Sequence, residues 1–235
     1  MRKIQFINNE IYHVYNRGVD KREIFSDEED YFRFVHDLFE FNDKAPAQNS
    51  YYFYSKRELA QLSEVRPRKI DRVRKLLVEV LAFCLMPNHY HLLLRQKNND
   101  GIRQLLHKLV TGYTMYFNAK NERTGVLFQG SYKAILVRQD NYFTHLPYYI
   151  HLNPLDLLEP EWRTGKIKNY KKAVEFLESY RWSSHLDYIG KKNFPSVTQR
   201  EFLLGVLAGS GNYRKNILNW LKEMDLTKIK ETILE

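Results

Sequence analysis

Val78-Glu79-Val80-Leu81-Ala82-Phe83-Cys84-Leu85-Met86, then Pro87-Asn88, then His89-Tyr90-His91-Leu92-Leu93-Leu94-Arg95, is the stretch that decides the fold. Two apolar runs flank a two-residue turn, which reads as a β-hairpin. Successive side chains on a strand point to opposite faces. His89 and His91 therefore share one face, with Tyr90 and Leu92 on the other. Two imidazoles side by side at a strand's mouth can hold one divalent metal with a flank left open. Alone the pattern is weak, because a His-x-His pair is often a half-buried surface feature.

Upstream of the hairpin, residues 11–15 alternate apolar and polar groups until Arg17-Gly18 breaks the run, which predicts a strand. From Asp27 to Asn42 the spacing of Tyr31, Phe34, Val35, Leu38 and Phe39 is helical, with acidic residues in the first turn. Residues 43–75 change character: a polar stretch leads to an amphipathic piece around Leu59 and Leu62, then to Arg66, Arg68, Lys69, Arg72, Arg74 and Lys75. That basic run reads either as a phosphate contact or as a solvated helix face.

Downstream, residues 101–121 form a long helical pattern with Leu105, Leu109, Gly112, Tyr113 and Tyr116 on one side, and 132–137 is a further strand candidate. Asp140 can cap the next helix and Pro154 ends it. Pro147 would remove a backbone hydrogen bond and clash one turn back. The expectation is therefore a kinked helix, or one that begins near Leu146. The chain then turns polar and basic, and two more helical patterns follow at about 198–208 and 211–224. Strand, helix, hairpin, helix, strand, helix predicts an α+β fold: a ferredoxin-like antiparallel sheet covered by helices, with extra C-terminal helices. We divide the chain into a catalytic-type domain over 1–160, with an insertion at about 43–75, and a basic, mainly helical extension over 161–235.

The bulk numbers agree with a globular chain. At 235 residues, with 43% hydrophobic residues, it can bury a full core. Lys plus Arg is 37 against 28 Asp plus Glu, a net charge of +9, which favours a polyanionic partner. The single cysteine, Cys84, excludes an internal disulfide and a cysteine-based zinc site. No signal-peptide pattern and no bilayer-length apolar run appear, so we expect no membrane association and a reducing cytoplasmic, nucleoid-associated setting.

Tyr149 and Asn153 are four residues apart and share a helix face. The phenol of Tyr149 can attack a phosphodiester while Asn153 offers an oxygen to a metal. A tyrosine ionises near pH 10, so such chemistry needs a cation or a base to stabilise its anion. The same cation can neutralise non-bridging phosphate oxygens, and mixed nitrogen and oxygen donors suit Mg2+ or Mn2+. Asn153 before Pro154 can equally serve as a helix terminator.

Met86-Pro87-Asn88-His89-Tyr90-His91, Gly125-Val126-Leu127-Phe128-Gln129-Gly130 and Tyr149-Ile150-His151-Leu152-Asn153-Pro154 carry a resemblance in their order. Tyr12-His13-Val14-Tyr15-Asn16-Arg17-Gly18 and Tyr180-Arg181-Trp182-Ser183-Ser184-His185 add to it. Together, over most of residues 11–190, they resemble the single-tyrosine HUH transposase superfamily. Within it the likeness is to the REP-associated tyrosine transposases, relatives of the small insertion-sequence transposases. The resemblance implies that His89 and His91 bind a divalent metal, Mg2+ or Mn2+, with Asn153 as third ligand and Tyr149 as nucleophile. It further implies cleavage of single-stranded DNA beside an imperfect hairpin, a 5′-phosphotyrosine intermediate, and rejoining by a 3′ hydroxyl. Members act as monomers or as homodimers, and the sequence does not choose between them.

Adjacent Tyr148 leaves the nucleophile open by one residue on pattern alone; only Tyr149 has Asn153 one turn away and occupies the family position. Arg17, Gln129, Tyr132 and Lys133 are DNA-binding candidates or solvated groups. His13, His145 and His151 read as structural or surface residues, with His151 also within the set that could touch DNA. Two other functions compete with transposase-type strand transfer: a non-catalytic, domesticated protein that binds hairpin DNA or RNA, and a metal-dependent hydrolase built on the same histidines.

Overall fold

A computed structural model of the chain describes residues 5–47, 73–137, 141–207 and 210–223. The amphipathic piece at Leu59 and Leu62, the basic residues 66–72 and the expected cap Asp140 lie outside the described residues.

The hairpin is formed by β2 (Val78–Met86) and β3 (His89–Gln96), which pair antiparallel with Met86 opposite His89 and Cys84 opposite His91. Before it come β1 (Ile11–Arg17) and α1 (Glu28–Glu40); after it come α2 (Gly101–Lys120) and β4 (Lys133–Val137). The strands form one antiparallel sheet in the order β2-β3-β1-β4, the ferredoxin-like arrangement that the element order predicts. Asp27 caps α1 by accepting a hydrogen bond from the Asp30 amide at 3.1 Å, as the acidic first turn leads one to expect.

Strand alternation then sorts the core into two. Tyr12, Val14, Tyr90, Leu92 and Leu94 face α1 and α2, where Phe34 meets Tyr90 and Tyr113 with ring centroids 5.1 Å apart in each case. Ile11, Cys84, Met86, Leu93 and Val137 face the other way, toward α3 (Asn141–Leu152). A helix on this second face goes beyond a minimal ferredoxin-like unit, and it is the helix that carries Tyr149.

α3 begins at Asn141, not near Leu146, and holds Pro147 within it. The lost backbone bond is outweighed by packing: Phe143, Leu146, Tyr149, Ile150 and Leu152 are all buried in the second core.

The remaining elements are α4 (Tyr170–Leu177), α5 (His185–Tyr188), α6 (Glu201–Val206) and α7 (Ser210–Lys222). The Tyr180–His185 motif lies along the outer edge of β2. The Leu85 amide donates to the Trp182 carbonyl at 2.9 Å, the Ser184 amide to the Phe83 carbonyl at 3.0 Å, and Tyr180 Oη to the Leu85 carbonyl at 2.6 Å. These bonds occupy an edge that would otherwise invite another strand. Trp182 is then stacked on Tyr31 at 4.6 Å in the first core, while Tyr188 and Tyr213 enter the second.

Gly101 opens α2 against the start of the hairpin. A Cβ there would lie 2.3 Å from the Leu77 carbonyl oxygen, so Gly101→Ala is expected to cost roughly 1–3 kcal/mol in chemical denaturation despite alanine's better helix propensity.

The histidines behind α3 give the fold a pH dependence. His151 is fully buried, with Nδ1 2.5 Å from Tyr213 Oη and Nε2 2.7 Å from Ser184 Oγ. Burial holds it well below the usual histidine range and pushes neighbouring His185 down to about 4. An unfolded histidine takes a proton near pH 6.5, and folded His185 only near pH 4, so between these values the unfolded chain binds more protons and stability falls with falling pH. For His185 the full loss is about 3 kcal/mol. The thermal midpoint should therefore drop from pH 7 to pH 4.5, and His185→Gln should flatten that drop. An unchanged slope in the variant would remove His185 as the cause.

Candidate active site

Cross-strand register assembles the site. Arg17 is opposite His89, Tyr15 is opposite His91, and Lys133 is opposite Tyr15, all on the sheet face that α3 covers. The His89 and His91 rings are 5.0 Å apart and nearly perpendicular. His91 is buried and His89 is half-buried at the strand's mouth.

Each ring is held by its Nδ1. His89 Nδ1 lies 2.6 Å from Asn88 Oδ1, and His91 Nδ1 lies 3.0 Å from His13 Nε2. A partner on one ring nitrogen holds the ring in orientation, as the outer partners of metal-binding imidazoles do. His13, which reads from the sequence as a structural or surface group, is thus a buried support for His91. Alternation puts His13, Tyr15 and Arg17 on one strand face, but only the pairing of β1 with β3 sets that face beside His91.

α3 brings Tyr149 to this face. Its ring meets that of His91 edge-on, with centroids 6.0 Å apart. Tyr148 turns away into a cluster with Tyr213 at 5.2 Å and Trp220 at 6.2 Å, and burial raises its phenol above the usual range. The two adjacent tyrosines are therefore separated by position.

Asn153 follows directly on α3 and opens a short 3-10 helix (Asn153–Leu157). Its Nδ2 donates to the Tyr149 carbonyl at 2.9 Å, so it terminates α3, while its Oδ1 accepts from Arg163 Nη2 at 2.9 Å. Among the described residues no group of three or more His, Cys, Asp and Glu is placed to hold a metal. A metal here would rest on the two imidazoles with an amide oxygen as the further donor. That donor set suits Mg2+ or Mn2+, and the Asn153 oxygen it would use is the one that Arg163 Nη2 holds.

Arg163 escaped the sequence reading. It lies in the 3-10 turn Trp162–Thr164, where Nη1 donates to Tyr149 Oη at 2.6 Å. Asp156 fixes the guanidinium through Nε at 3.1 Å and Nη2 at 2.6 Å, and the group lies 5.2 Å from the centroids of both Tyr149 and Trp162. One guanidinium thus holds the oxygens of both Tyr149 and Asn153.

The DNA candidates divide. Arg17 is half-buried beside His89, and its carbonyl accepts from the Gln129 amide at 2.8 Å, so these two share the strand mouth. Lys133 is exposed, with Nζ 5.7 Å over the Tyr15 ring. Tyr132 instead stacks on Phe6 at 6.5 Å and packs against the first core, away from the histidines. Arg74, from the basic run, lies 3.8 Å over the Phe39 ring and bonds the Phe39 and Asn42 carbonyls. His151 is enclosed, as described above.

Paired histidines on an inner strand and a tyrosine on the helix that covers them are thus brought to one face of the sheet. Residues 61–153 match the family described as transposase IS200 like, a segment that contains His89, His91, Tyr149 and Asn153. A solved structure of a REP-associated tyrosine transposase bound to a REP hairpin is also similar. It is 14% identical, covers 83% of this chain and 88% of its own, and has a TM-score of 0.49. No curated protein matches the chain. Among the described residues, no helix is long and apolar enough to cross a membrane.

Proposed function

We propose that this chain nicks and joins single-stranded DNA next to hairpins, as a transposase-type endonuclease and strand transferase. The observation that carries the reading is the Tyr149 ring lying against His91, with His89 beside it on the same strand face. The match of residues 61–153 to transposases and the net charge of +9 support it.

In this reading Tyr149 Oη forms a bond to phosphorus and the phosphorus–O3′ bond breaks. The phenolic proton passes to solvent, and the departing 3′ oxygen takes up a proton from solvent to become a hydroxyl. Attack by a 3′ hydroxyl on the phosphotyrosine reverses these changes and joins DNA without a nucleotide cofactor. His89 and His91, with Asn153, would hold Mg2+ or Mn2+, which when bound neutralises charge on the phosphate. His13 and Asn88 keep the two imidazoles oriented. Asn153 and the buried flank of α3 keep Tyr149 in place. Arg17, Gln129 and Lys133 border the same face and are assigned to the DNA backbone. Tyr132 stays a more distant contact candidate.

Hairpin-flanked single-stranded DNA incubated with Mn2+ and run on a denaturing gel tests the proposal. A protein–DNA adduct is expected. Binding without an adduct under any divalent metal would instead favour a domesticated hairpin-binding protein, and free ends without an adduct would favour a hydrolase.

A further inference from the structure

We infer that Arg163 binds the scissile phosphate, both before cleavage and as the phosphotyrosine; the inference rests on the assignment of Tyr149 as nucleophile. The argument is one of distance. Nη1 of Arg163 is 2.6 Å from Tyr149 Oη. A phosphorus in line for attack stands about 3–3.5 Å from that oxygen, so it comes within about 6 Å of Nη1 whatever its direction of approach. Its non-bridging oxygens come closer still on the side that faces the guanidinium. After the bond to Oη forms, the phosphate stays within this reach.

Exposure points the same way. Tyr149 is 1% exposed, whereas the Arg163 side chain is 21% exposed, so Arg163 is the member of the pair that meets solvent and an arriving anion. Arginine suits the task because its planar fork donates to phosphate oxygens and keeps its charge at any working pH. Asp156 holds the fork by Nε and Nη2 and aims Nη1 at the tyrosine, and Trp162 backs its plane. A residue serving only to brace the 153–164 turn would need the Asp156 contacts but not a donor on the phenolic oxygen.

The test needs no catalysis and no target sequence. A short oligothymidylate is titrated into the full chain in EDTA, once with a 5′ phosphate and once with a 5′ hydroxyl. The wild-type chain should bind the phosphorylated form roughly tenfold more tightly, the scale of one charge-assisted contact. Arg163→Ala should erase that difference, and Arg163→Lys should keep part of it. Should Arg163→Ala fail to fold, Arg163→Gln, which keeps donors but no charge, gives the same reading. An equal phosphate preference in the wild type and Arg163→Ala, or none in the wild type, overturns the inference. Failure of the nucleophile assignment would show separately, as an adduct formed by Tyr149→Phe.

Discussion

Tyr149→Phe is expected to abolish the covalent protein–DNA adduct while leaving the fold and hairpin binding in place. The substitution removes one oxygen from a side chain that is otherwise held by packing: its ring is buried against His91 and Trp162, and those contacts need no hydroxyl. The hydroxyl's hydrogen bond comes from a partly exposed arginine that Asp156 also holds, so its loss should cost stability only about 1 kcal/mol. The chemical loss is of another order, because phenylalanine has no atom with which to form the phosphotyrosine bond. Tyr148→Phe should leave adduct formation intact, since that ring belongs to the cluster around Tyr213 and Trp220.

The second large effect is expected at the histidines, and it should be graded. His91→Ala and His89→Ala each remove an imidazole from the pair, and His13→Ala removes only the group that orients His91. Loss of such an outer partner typically lowers metal affinity or activity 10- to 100-fold. We expect that range for His13→Ala and a loss of at least about 100-fold for His91→Ala, read as the Mn2+ dependence of adduct formation. Hairpin binding in EDTA should be unaffected in all three. Equal effects at His13 and His91 would mean that the pair acts through packing and not through metal binding.

Much of this molecule is legible in its sequence, and the parts that are not share physical causes. The hairpin, α1 and α2 can be read because each follows one period, alternation or 3.6, over a long enough run. His89, His91 and Tyr149 are legible because strand and helix geometry fix which side chains share a face. The start of α3 misleads, because a rule about proline in an isolated helix meets a helix buried along one side. α4 and α5, of eight and four residues, are too short for a period to be read from the sequence. Arg163 and Asp156 were missed for a related reason: they lie on 3-10 turns, where no repeat relates one residue to the next. His13 required the register between β1 and β3, which is a tertiary fact.

The account centres on one atom, Tyr149 Oη, and one measurement addresses it directly. The trapped adduct, digested with nuclease and protease, would be mapped by tandem mass spectrometry. A nucleotide joined through its 5′ phosphate to Tyr149 is the predicted result. Attachment at Tyr148 or any other residue, or a nucleotide joined through its 3′ end, would contradict the account.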